Sequence, residues 1–160
     1  MTKAGKIIKW FLLLMVGAFI VIQFIRPTKT NPTAQASLAI DAHTQLAPPI
    51  KDIINRSCKD CHSNNTQWPW YSNVAPVSWF VINHVNEGRQ HLNFSDWGNY
   101  DNNRQRRKLD EMCEMVEGGE MPLSSYTPMH PGSKLNGQDV KTLCDWTNAE
   151  RQRLSSLDTR

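Results

Sequence analysis

The chain has 160 residues, with 18 Lys plus Arg against 15 Asp plus Glu and a formal charge of +3. Three of those cations, Lys3, Lys6 and Lys9, lie at the N-terminus, so the remainder is near neutral and offers no electrostatic footprint for nucleic acid. The short basic run from Arg104 to Lys108 reads as a solvated helix face.

The first predicted element is apolar. From Ile7 to Ile25 the chain carries one charge, Lys9, and that stretch of about 19 residues approaches the roughly 20 that a helix needs to cross a bilayer core. The flanking lysines predict a cytoplasmic N-terminus, with everything after Arg26 on the far side. A cleaved signal peptide is the competing reading, because Ala34-Gln35-Ala36 has the small-x-small form of a cleavage site. The apolar run is long for such a segment, and the site lies well past its end, which favours an uncleaved anchor over residues 1–26. Residues 27–48 are polar, with scattered Pro, Thr, Asn and Ala, and read as a linker holding a domain off the membrane, partly ordered near Leu38 to Leu46. About 130 residues then remain for one domain with a modest core, placed at 49–155.

Pro48-Pro49 can open a short helix through Ile50, Ile53 and Ile54, whose spacing makes one apolar stripe. It leads into Cys58-Lys59-Asp60-Cys61-His62. Two thiols three positions apart, with an imidazole directly after the second, suit the two vinyl groups of a haem and the iron between them. On this reading Cys58 and Cys61 form thioethers and His62 is the proximal iron ligand, giving one covalent haem c. Two other uses of the pair fit less well. A thioredoxin-like dithiol wants a strand before the first cysteine, and none is predicted there. A zinc site would recruit Cys113 and Cys144, whose spacing matches no compact zinc module.

After a polar loop at Ser63 to Thr66 come Trp68-Pro69-Trp70-Tyr71, read as packing residues that could also wall one haem edge and donate to a propionate. A helix is predicted from Pro76 to about His91, with Val77, Phe80, Val81, His84 and Val85 at helical spacing. Asn93 to Asn103 is rich in turn formers, with Phe94, Trp97 and Tyr100 as anchors. A third helix, Arg104 to Glu117, presents Leu109, Met112, Cys113 and Val116 on one face and stops at Gly118-Gly119. The last begins after Asn136, whose side chain can cap it, with Asp139 completing a capping box. Cys113 and Cys144 lie on inner faces and can be either a disulfide or two buried thiols. Glu114, Glu117 and Glu120 read as a solvated helix end without an acid-base role.

An electron carrier needs a second strong axial ligand. Met121 is the best-positioned candidate, because it leaves a helix stop and is braced by Pro122. Met129, His130 and His84 are the alternatives; Met112 reads as core and Met115 lies off that stripe.

The order of apolar anchor, Cys58-x-x-Cys61-His62, Trp68-Pro69-Trp70-Tyr71-Ser72, Ala75-Pro76, Asn83-His84-Val85 and Gly119-Glu120-Met121-Pro122-Leu123 resembles the bacterial haem-binding domain family of small c-type cytochromes. The likeness covers roughly Ile50 to Trp146. It implies an all-α, cytochrome c-like mono-haem domain behind an N-terminal transmembrane helix, single-pass in the inner membrane with the domain in the periplasm. Cys58, Cys61 and His62 carry over directly. Met121 matches the Met-Pro pattern that commonly supplies the sixth ligand. The expected function is single-electron transfer with a redox partner that the family does not name. The alternative is a haem peroxidase or a gas or peroxide sensor with an open distal site.

Overall fold

Seven α-helices and no strand occur among the residues that the computed structural model describes, 2–158. The first, α1, runs Lys3–Ile22 and is capped by Thr2, whose Oγ1 accepts from the Gly5 N–H at 3.3 Å. Its 20 residues span about 30 Å, and none of its side chains is buried by the rest of the chain. It is long and apolar enough to cross a membrane.

The polar stretch that follows does not hang free. Gln23 exchanges two hydrogen bonds with the Ala75 backbone, donating to its carbonyl at 3.0 Å and accepting from its N–H at 2.9 Å. The Trp79 indole donates to the Ile25 carbonyl at 2.7 Å, and Lys29 reaches Asn73 Oδ1. Farther along, Arg89 donates to the Thr30 carbonyl at 2.6 Å and to Asn31 Oδ1 at 2.9 Å. Asn and Thr supply the acceptors that a polar composition offers, so a segment expected to be a spacer lies along the domain.

A short strap then crosses the core. It comprises a 3-10 turn at Ala36–Leu38 and α2, Ile40–His43. The Ile40 N–H donates to the Phe94 carbonyl at 2.8 Å, and the Trp146 indole holds the Gln45 carbonyl at 3.1 Å. The core proper is built from α3, Pro48–Ser57; α6, Asn102–Glu117; and α7, Gly137–Asp158. Ile50, Ile53 and Ile54 of α3 meet Leu109, Met112 and Val116 of α6 and Leu143 and Leu154 of α7 in one buried cluster. Phe94, Trp97 and Tyr100 join it from the loop before α6, as their apolar bulk predicts.

α6 and α7 pack antiparallel. Cys113 and Cys144 form a disulfide, with Cα atoms 4.9 Å apart, and Asp110, one turn before Cys113, pairs with Arg151, two turns after Cys144. The sequence left that pairing open, and the disulfide decides it. Both helices begin as their caps require: Asp101 accepts from the Arg104 N–H at 2.7 Å, and Asn136 and Asp139 exchange side chain-to-backbone bonds at 2.9 and 3.0 Å. Two further helices complete the site region, the single turn α4, Lys59–His62, and α5, Val77–His91.

Candidate functional site

The site grows from one helical turn. α3 makes its last bond from the Cys58 N–H to the Ile54 carbonyl, and the chain turns at Cys58, whose φ is −125°. The Cys58 carbonyl then accepts from the N–H groups of Cys61, at 3.2 Å, and His62, at 3.0 Å. Residues spaced i, i+3 and i+4 on one turn share a face, so both thiols and the imidazole line the same cavity.

α5 orients the imidazole. His62 Nδ1 lies 3.0 Å from the carbonyl oxygens of both Gly88 and Leu92. Carbonyls only accept, so Nδ1 carries the proton and Nε2 is the bare nitrogen. Burial pushes the His62 pKa below its ordinary value of 6.5, against the opposing pull of the Leu92 and Gly88 carbonyls, and keeps the ring neutral. A neutral ring with one nitrogen committed to a carbonyl is how a metal-ligating histidine is held.

This arrangement depends on Gly88. A Cβ at that position would stand 2.7 Å from the Cys61 carbonyl oxygen and 3.2 Å from Cys61 Cβ. Only glycine lets α5 approach closely enough for its carbonyls to reach His62. The available signal was a glycine inside an amphipathic helix, four residues after His84, a placement that costs helix stability and therefore wants a reason. Arg89, next in sequence, also escaped the sequence reading. It donates to the Ser63 carbonyl at 2.8 Å and to Thr66 Oγ1 at 2.7 Å, bracing the loop that leaves His62.

Burial raises the Cys58 thiol to about 12, helped by Cys61 and opposed by Arg56. Burial raises Cys61 to about 11, helped by the Asp60 charge and opposed by Arg89. Both groups are therefore protonated near neutrality, the reverse of a low-pKa redox dithiol. The zinc reading fails as well, since Cys113 and Cys144 are consumed by each other.

The cavity itself is about 500 Å³, within the range of cofactor pockets, about 300–1,000 Å³. The cysteine turn and α5 form one wall. The end of α6 and the loop after it form the other, with Met112, Met115, Val116, Met121, Leu123 and Tyr126. That loop is set by the α6 stop. Gly119, at φ +71°, lets the Glu120 N–H return to the Met115 carbonyl at 2.9 Å and its own N–H to the Val116 carbonyl at 3.3 Å. This is a Schellman motif, and the Met121 N–H adds a bond to the Met115 carbonyl at 3.1 Å.

The candidate sixth ligands separate. Met121 and His84 line the cavity; Met129 and His130 do not. Met129 is half exposed, and His130 is used elsewhere, stacked on Tyr126 with centroids 3.7 Å apart and donating from Nδ1 to the Tyr126 carbonyl at 3.0 Å. Met115, set aside as lying off the apolar stripe, lines the cavity too, because the wall is wider than the stripe. The expected aromatic wall is also different. Trp68, Trp70 and Tyr71 are absent from the lining, and Tyr126 and Phe94 take that role. Tyr126 donates to Asp60 Oδ2 at 3.0 Å; burial and then the Asp60 charge push its pKa well above the ordinary 10.

Against known sequences, the model of a family described as a haem-binding domain matches residues 17–149. The chain belongs to the haem-binding domain family. The match takes in the end of α1, the polar segment and every wall of the cavity. No curated protein and no solved structure matches. The residues present fit haem: a neutral imidazole with Nε2 bare, two protonated thiols on the same turn, thioethers across the cavity, and a mostly apolar lining.

Proposed function

We propose that this haem-binding protein is a membrane-anchored mono-haem c-type cytochrome that passes single electrons outside the cytoplasmic membrane. Cys58 and Cys61 would hold haem c through thioethers, His62 Nε2 would be the proximal ligand to iron, and Met121 the distal one. The observation that carries this reading is the His62 tautomer, held by the Gly88 and Leu92 carbonyls on the same turn as two buried, protonated thiols. Haem, when bound, supplies one-electron exchange at iron.

The chain supplies the rest. The carbonyls at the end of α5 orient His62 and raise its basicity as a ligand. Met112, Val116, Leu123 and Leu143 supply apolar wall against which a haem ring would pack. A peroxidase would want an arginine beside a distal histidine, and the residues lining the cavity include no arginine. The Cys113–Cys144 disulfide supports an oxidising compartment for the domain, and Lys3, Lys6 and Lys9 support a cytoplasmic N-terminus. On this reading residues 1–26 are the anchor, 27–48 the connection and 49–155 the domain, in the periplasm.

The test is acid-acetone extraction of the haem-loaded chain. Haem should stay with the polypeptide, and Cys58→Ala with Cys61→Ala should release it. Complete extraction from the parent would overturn covalent attachment. A ferric spectrum with the weak red-end band of methionine coordination would support electron transfer, whereas a high-spin ferric spectrum would favour the ligand-binding alternative.

A further inference from the structure

Among the described residues beyond 7–25, the exposed large hydrophobic side chains are Trp70, Val77, Phe80, Met129 and Leu157. The first three gather at one place. Trp70 opens the 3-10 turn Trp70–Asn73, which ends at the asparagine that Lys29 reaches. Val77 and Phe80 are on the first turn of α5, within five residues of Ala75, which Gln23 grips, and on either side of Trp79, whose indole holds Ile25. Trp70 is 72% exposed and Phe80 51%, while Phe24, beside Gln23, is 83% exposed. An apolar surface thus continues from the end of α1 directly onto the domain.

Charge follows the same outline. No Asp or Glu occurs before Asp41, and none between Asp60 and Glu87, so neither contributor to this face carries an acid. Arg26 is exposed at the end of the apolar run. An apolar surface with an exposed Trp suits the headgroup level of a bilayer, where indoles concentrate.

We propose that Trp70, Val77 and Phe80 dock the domain on the phospholipid interface of the membrane that α1 crosses, so that the domain lies against the bilayer instead of swinging from a spacer. This rests on the reading of α1 as an uncleaved anchor. The bonds from Gln23, Ile25 and Lys29 hold the patch at the depth where α1 leaves the hydrocarbon. Phe80 stacks on His84, with ring centroids 4.0 Å apart, and His84 lines the cavity. One rim of the cavity is therefore about one helical turn from the lipid surface.

The experiment uses the full haem-loaded chain labelled with 5-fluorotryptophan in phospholipid nanodiscs. Resonances of Trp70 and Trp10 are assigned by Trp70→Phe and Trp10→Phe, and fluorine linewidths are read with a lipid bearing a nitroxide near its carbonyl or with a water-soluble gadolinium chelate. The nitroxide lipid should broaden Trp70 at least as much as it broadens Trp10, at least twofold over unlabelled lipid, and the chelate should broaden Trp70 less than the lipid does. Trp10 broadened by the lipid while Trp70 responds only to the chelate would overturn the docking and leave the anchor standing. Trp10 responding only to the chelate would remove the anchor, and the docking with it.

Discussion

Gly88→Ala tests the geometry on which the site depends. An added methyl would stand 2.7 Å from the Cys61 carbonyl oxygen, where ordinary contact begins at 3.4 Å, so α5 must retreat by about 0.7 Å. Spent along the bonds to His62, that retreat would stretch two 3.0 Å contacts to about 3.7 Å, beyond hydrogen-bonding range. Overpacking costs about 1–3 kcal/mol and an unsatisfied buried Nδ1–H about 1–3 kcal/mol. Against these, alanine in a helix interior gains about 1 kcal/mol over glycine. The net loss is about 1–5 kcal/mol, which at about 4 °C per kcal/mol lowers Tm by about 4–20 °C for a domain of about 110 residues. Thermal unfolding of the haem-loaded chain, followed by circular dichroism, reads it directly. In an unconstrained helix the same change would stabilise, so the sign is diagnostic. A variant that melts at or above the parent, with an unchanged haem spectrum, would refute the close approach of α5 to the cysteine turn.

Met121→Ala should turn the ferric haem high-spin and open it to cyanide, whereas Met129→Ala should leave the spectrum unchanged; loss of the parent spectrum in His84→Ala alone would assign the distal ligand to His84 instead. Arg89→Lys keeps the charge but cannot reach Ser63, Thr66, Thr30 and Asn31 together, so limited proteolysis should cut residues 27–35 severalfold faster, and an unchanged rate would remove Arg89 as the latch. Replacing Cys113 and Cys144 with Ser opens a link across a sequence separation of 31 and should cost about 3–4 kcal/mol in denaturant unfolding. Burial would raise the Asp139 carboxyl, but the Asn136 N–H and Arg56 outweigh it and hold the pKa below its ordinary 3.8. A depressed carboxylate contributes stability that is present above the ordinary value and lost as pH falls through the folded one, so the gap in unfolding midpoint between the parent and Asp139→Asn should be full at pH 6 and shrink below about pH 4.

Local rules made much of this molecule readable before folding. The apolar run of α1, the isoleucine stripe of α3, the glycine stop of α6 and the Asn136–Asp139 box each depend on residues within one or two turns, where spacing alone sets which groups can meet. The cysteine turn belongs to the same class, since i, i+3 and i+4 share a face whatever lies opposite. Its tautomer does not. Gly88 and Leu92 reach His62 across separations of 26 and 30 residues, and only the docking of α5 makes that contact. The tertiary structure likewise drew Met121, Met115 and His84 to the cavity while leaving Met129 and His130 outside it, because the Schellman turn aims one loop inward and stacking on Tyr126 turns His130 to another task. It paired Cys113 with Cys144, which no spacing dictates, and laid a polar segment that composition marks as a spacer along Arg89 and Asn73. Helical periodicity has a reach of a few residues; which faces meet is decided by how whole helices pack.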